Sequence, residues 1–257
     1  MKIINATWEK RNLGCDAYEI QIERKDLKNF SSIMSELKKQ DFSGAYVTVK
    51  MPVGNLEALH ALEDDGFRFM ETQYHLRKDL SDYETPVMLL PYVNKLERVE
   101  VGKNRERWQE IVDMITPEMF TTDRIYLDPL LPYGTSCKRY KNWMMDLVEK
   151  SGVRLFIVKD NDDVIAYSLE VWDMDKKVVN GLLGGVFEKY QKEGYGLLSW
   201  DNGLRYYKKN KVSIDTDISS NNQAVFDVYM FFDYKITKQT YVLRKKFEEG
   251  RNDSIIL

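Results

Sequence analysis

Six residues, Gln191-Lys192-Glu193-Gly194-Tyr195-Gly196, join an apolar run (178–187) to a segment of helical spacing that starts at Gly194. A glycine-bearing turn into a helix aims free backbone N–H groups outward at the positive end of the helix dipole, a geometry that suits phosphate oxygens. Gly194 and Gly196 would let the backbone approach such a ligand closely, and Glu193 must then point its carboxylate away. The same pattern also serves as a plain tight turn. Its context argues for a site: the preceding run holds Leu182-Leu183-Gly184-Gly185-Val186, and glycines inside a strand mark a bulge or a close backbone approach. A splayed edge there would offer unpaired N–H and C=O groups to an amide-bearing ligand.

Other chemistry is sparse. The 257 residues include two histidines, His60 and His75, too few for a zinc cluster. Both read as surface or half-buried rings, and no metal is expected. Cys15 and Cys137 belong to no motif and read as free thiols of a reducing cytosol. A net charge of −3 gives no footprint for nucleic acid. No run has the length and apolarity of a membrane span, and no signal peptide is expected, so a cytoplasmic protein is the reading.

The elements that must position the loop follow from periodicity. Strands are predicted at 17–22, 45–49, 67–76, 96–101, 155–158, 164–172, 178–187, 212–216 and 234–244. Helices are predicted at 27–37 with Asp26 as N-cap, at 56–62 entered through Asn55, and at 105–115, 138–149, 194–208 and 223–231. Segment 119–135 is irregular, and 77–83 with Pro86 and Pro91 reads as a linker. An internal echo stands out. Segments 45–77 and 212–244 share the order strand, Asn-bearing loop, helix, long strand, and end in Tyr74-His75-Leu76-Arg77-Lys78 and Tyr241-Val242-Leu243-Arg244-Lys245. This suggests a duplicated half, one copy kept as scaffold and one completed into a working domain.

The loop resembles the Q/R-x-x-G-x-G/A coenzyme A motif of the GNAT (GCN5-related) N-acetyltransferases. Asn222, Val225, Tyr229 and Asp233-Tyr234 are similar to that family's N-x-x-A/V-x-x-x-Y-x-x-x-G-F, with Asp233 for the usual Gly and Tyr234 for the usual Phe. The resemblance covers roughly Leu96 to Arg244. It implies a mixed α/β fold, a largely antiparallel sheet flanked by helices, with residues 1–80 as an N-terminal truncated GNAT-like half, 81–93 as linker, 94–246 as catalytic GNAT domain and 247–257 as tail. It implies acetyl-CoA as cosubstrate, held by Leu183, Gly184, Gly185, Val186, the 191–196 loop and Asn222. Acetyl would pass to an amine in a ternary complex. Backbone N–H groups near Gly185-Val186 would hold the oxyanion, and Tyr229 would act as general acid toward the departing thiolate.

Scattered positions, Trp8-Glu9, Gly14, 123–129 and 140–144, extend the likeness to the TDP-fucosamine acetyltransferase group, implying a nucleotide-linked amino-deoxy sugar as acceptor. Asp123, Arg124, Tyr126, Asp128 and Glu170 are the candidate acceptor contacts, the carboxylates among them also candidate bases. The bland readings stand beside these: Tyr229 as a core aromatic, Asn222 as a helix cap, 119–135 as a solvated loop. A peptide, polyamine or antibiotic amine, or a coenzyme A-binding module without turnover, are the alternatives. The sheet of the N-terminal half is a candidate homodimer surface.

Overall fold

The computed structural model describes residues 1–249. Most of the expected tail, 250–257, lies outside the described residues. One ten-stranded sheet runs through the molecule in the order β1-β2-β3-β10-β4-β9-β8-β7-β6-β5. Its strands are β1 (Lys2–Asn5), β2 (Ala17–Gln21), β3 (Tyr46–Pro52), β4 (Arg68–Lys78), β5 (Glu97–Glu100), β6 (Val153–Asp160), β7 (Asp163–Asp173), β8 (Val178–Val186), β9 (Ser213–Ser219) and β10 (Lys235–Lys246). The helices are α1 (Lys10–Leu13), α2 (Phe30–Leu37), α3 (Leu56–Asp64), α4 (Arg105–Asp113), α5 (Thr135–Leu147), α6 (Tyr195–Lys209) and α7 (Gln223–Phe231). All neighbouring strands are antiparallel except β2–β3 and β8–β9. This is the mixed, largely antiparallel, helix-flanked sheet expected.

The internal echo becomes a strand exchange. β3–α3–β4 and β9–α7–β10 are equivalent units, each helix N-capped by an asparagine: Asn55 accepts from Ala58 N at 2.9 Å and Asn222 from Val225 N at 3.3 Å. β10 lies between β3 and β4, and β4 lies between β10 and β9. Each copy thus donates its last strand to the other, and the sheet crosses the boundary drawn near residue 80.

Side chains alternate across this sheet. On one face Trp108, Ile111 and Val112 of α4 and Met144 of α5 pack with Leu155, Tyr167 and Leu169. On the other, α6 and α7 bury Leu204, Tyr229 and Phe232 against Leu76, Val179 and Ile214, while Ile33 of α2 and Leu62 of α3 cover Val47, Val49 and Leu243.

Three local expectations change. Asn29, not Asp26, caps α2, accepting from Ser32 N, because residues 26–29 form a 3-10 turn first. Asp26 instead pairs with the N-terminal amine at 2.7 Å. β1 and α1 were not foreseen; Ile3-Ile4 is too short a run to carry a period.

Candidate functional site

β8 and β9 run parallel and pair only from Val178↔Ser213 to Gly181↔Thr216. Beyond that β8 continues to Val186 and β9 to Ser219 with no ladder between them, so the sheet opens into a V. The cause is in β8: its register on β7 shifts between Leu183 and Gly181, leaving Leu182 as a bulge, and a bulge bends its strand. Leu183, Gly184, Gly185 and Val186 form one arm of the V, bonded to β7 on one side and open on the other. Glycine is favoured at 184, since a Cβ would sit 3.0 Å from the Tyr167 carbonyl oxygen, a tight approach to backbone.

The 191–196 loop follows at the wide end. Gln191 Nε2 donates to Val186 O at 3.2 Å and ties the loop to the strand. Gly194, with φ +83°, is the left-handed N-cap of α6, and Lys192 is also left-handed at φ +68°. Tyr195 is anchored by its hydroxyl on Asp160 at 2.7 Å. Glu193 and Gly196 are exposed, and a Cβ added at Gly196 would meet open space. The first N–H groups of α6 have no helical acceptor by construction, so the helix start faces an uncrowded surface with its positive end.

Tyr229 lies at the apex. It is 5% exposed, and its hydroxyl is 3.4 Å from Thr216 Oγ1, the last residue of the β8–β9 ladder. Trp200 and Tyr234 pack on its ring at 5.0 and 4.8 Å between centroids. Burial pushes its phenol up to about 12, the Thr216 contact opposing and nearby Asp217 adding to the effect. It is therefore protonated at neutral pH and able to donate. Asn222 caps α7, as one of its two readings had it. Asp233 takes the left-handed position after the helix, with φ +56°.

The matching place in the N-terminal half is closed. β2 and β3 pair without interruption from Ala17↔Tyr46 to Gln21↔Lys50, and the turn after β2, Ile22-Glu23-Arg24-Lys25, has no glycine.

The expected acceptor residues fall into two groups. Asp123, Arg124 and Tyr126 lie in the α4–α5 connection, on the α5 face. Asp123 accepts from Ile125 N, Tyr126 N and Ser136 Oγ and shapes the turn. Arg124 stands 3.6 Å from Glu71 of β4, with its Nε buried and unpartnered. It also lines a cavity of about 280 Å³ with Glu19, Tyr46, Arg139 and Trp143. Tyr126 is at the surface against Tyr133.

Asp128 and Glu170 differ: both are 1% exposed with every carboxylate oxygen engaged, so neither presents a free carboxylate to an acceptor. Asp128 binds Arg244 through two bonds of 2.8 and 2.9 Å and accepts from Tyr46 and Leu130 N. Glu170 lies on the α6 face, held by Arg98, Ser168, Trp172 and Tyr207.

For Asp128, burial alone would raise the carboxyl, but the Arg244, Tyr46 and Leu130 hydrogen bonds together hold it below the ordinary value. A depressed folded-state value adds stability above the unfolded carboxyl value of about 4, lost as pH falls through the folded one. Acid titration of the native protein should therefore show stability falling below about pH 4. In Asp128→Asn that share of the slope should vanish, which denaturant melts at a series of pH values would show.

One residue escaped sequence reading. His75 of β4, expected as a surface or half-buried ring and half-buried here, pairs in register with Asp217 on the β9 arm of the V. Its Nδ1 is 2.9 Å from Asp217 Oδ1. No local pattern around either residue announces this contact.

No family model and no curated protein matches the chain. Among solved structures, a GCN5-related N-acetyltransferase from Sphaerobacter thermophilus superposes with TM-score 0.59 at 11% identity, over 97% of this chain and 76% of its own. The fold is that of the GCN5-related N-acetyltransferases. A conserved protein of unknown function from Staphylococcus epidermidis superposes on the chain with TM-score 0.55 at 12% identity, over 91% and 84% of the two chains. Among the described residues no group of His, Cys, Asp and Glu suits a metal, and no helix is long and apolar enough to cross a membrane.

Proposed function

We propose that the chain transfers acetyl from acetyl-CoA to a primary amine. The observation that carries this reading is the V between β8 and β9, with a left-handed glycine loop at its mouth and a buried, protonated tyrosine at its apex. A pyrophosphate suits the start of α6. The open edge of Leu183–Val186 suits the amides of the pantetheine arm and, near Gly185-Val186, the thioester carbonyl and its oxyanion. Residues 94–246 form the catalytic part, reached through the 81–93 linker, and they work with β4 supplied by residues 1–80.

On the acceptor side we favour an amino-deoxy sugar linked to a nucleotide. Asp123, Arg124 and Tyr126 lie on the α5 face, and the Arg124 guanidinium, lining the cavity together with Arg139, suits an anionic group such as a diphosphate. A screen of TDP-amino sugars against polyamines, peptides and antibiotic amines, read by release of the coenzyme A thiol, decides among acceptors.

Acetyl-CoA at 100 times its Kd should stabilise the native chain by about 2.7 kcal/mol, seen as a rise in Tm. Gly196→Glu sharpens the test. Its side chain meets open space and a carboxylate in a first helical turn is favourable, so the fold should keep its stability while the rise with acetyl-CoA disappears. An unchanged rise would remove the phosphate site from α6; no rise in the parent chain would end the proposal.

A further inference from the structure

The reaction needs a neutral amine, and the buried carboxylates Asp128 and Glu170 cannot take its proton. We propose that His75, carried into the catalytic sheet by β4, is the proton acceptor for the incoming amine, with Asp217 holding its ring. This rests on the acetyl-transfer reading and adds to it a base supplied by the other half of the chain.

Thr216 is the last β9 residue paired with β8, and Asp217 is the next. Strand alternation puts Asp217 and its cross-strand partner His75 on the face opposite Thr216 and Tyr229. A thioester carbonyl seated in the V therefore has the phenol on one side of the sheet and, on the other side and one strand beyond β9, the imidazole. An acid and a base on opposite faces keep the two proton transfers apart, one to the departing sulfur and one from the attacking nitrogen.

The hydrogen bonding prepares the ring. In the neutral ring Nδ1–H donates to the Asp217 carboxylate, which leaves the lone pair on Nε2. Asp215 is 3.7 Å from Nε2, beyond hydrogen-bond reach, and is already engaged by Arg77 through bonds of 2.6 and 2.5 Å. The His75 side chain is 34% exposed, so an acceptor can reach it. Thr237, in the bulge of β10 beside it, donates to the His75 carbonyl at 3.2 Å and pins the backbone. The charged groups sharing this face are Asp215 and Asp217 of β9, Arg77 of β4, and Lys235 and Lys238 opposite on β10; Glu71 and Arg124 stand farther along it.

The step balances. The amine nitrogen pair forms the C–N bond while its proton passes to His75 Nε2. The C–S pair leaves on sulfur, which takes the Tyr229 proton. The imidazolium proton returns to the tyrosinate through solvent, giving amide and free coenzyme A.

Two histidines make the test clean, because exposed His60 on α3 serves as an internal control. Imidazole resonances of the full chain are followed while acetyl-CoA is added. His75 should shift and His60 should not. In turnover with the amine selected by the acceptor screen, His75→Ala should lower kcat/KM by about 10²-fold or more and lose the acid limb of the pH profile. Added imidazole should restore part of the rate, which a merely structural role would not allow. Asp217→Asn should cost less and leave the limb in place. A still His75 resonance with acetyl-CoA bound, or an unchanged pH profile in His75→Ala, overturns the base and leaves acetyl transfer standing. Failure of acetyl-CoA to raise Tm ends both.

Discussion

Tyr229→Phe should lose about 10²-fold or more in kcat and keep its thermal response to acetyl-CoA. The hydroxyl has one hydrogen-bond contact, Thr216 Oγ1 at 3.4 Å, so the fold gives up little with it. The ring keeps its packing against Trp200 and Tyr234, and phenylalanine fills the same space. What disappears is a buried proton donor at the apex of the V. A hundredfold loss corresponds to about 2.7 kcal/mol of transition-state stabilisation, the scale of one well-placed proton transfer. The loss should appear in kcat more than in KM, because the thiolate exists only after the thioester opens. A variant with full kcat would return Tyr229 to its core reading.

Glu170→Ala should cost about 3–5 kcal/mol of stability, measured as a lower urea midpoint at constant m-value. Arg98 and Glu170 have side chains only 5% and 1% exposed. Removing the carboxylate leaves the guanidinium buried without its counter-charge, and strips the acceptor from Trp172 Nε1, Ser168 Oγ and Tyr207 Oη together. The same carboxylate joins β5 and β7 to α6, the helix whose first turn carries the glycine loop. Replacing Arg98 and Glu170 together by apolar residues of similar volume should recover much of the loss, since a buried pair costs desolvation that an apolar pair does not. An exposed Glu170 contacting substrate would instead give a stable, inactive variant.

The glycine loop was legible because its requirement is local. A left-handed residue followed by a helix start leaves its mark in Gly194 and Gly196, and the bulge that opens the V leaves its mark in Gly181, Gly184 and Gly185 around Leu182. Asn222 was legible for the same reason, as a cap three residues before the N–H it binds. The fate of the acidic residues was not. Whether Asp128 or Glu170 is a ligand contact or a buried counter-ion depends on Arg244 and Arg98, which are remote in sequence. His75 is the extreme case. Its role follows from β4 entering the sheet beside β9, and the repeat between 45–77 and 212–244 shows that two units exist without showing that they trade strands.

That trade also orders events during synthesis. The gap between β3 and β4 is filled by β10, the last described strand to be made. Until it emerges from the ribosome, the first half holds two strand edges with nothing to pair them, the sort of surface that invites association with other chains. The pairing β4–β10 also closes a very long loop, which slows folding. A nascent chain therefore cannot close the sheet between β3 and β4 until β10 has been made, whereas a bead-on-string two-domain protein would complete its first half before its second.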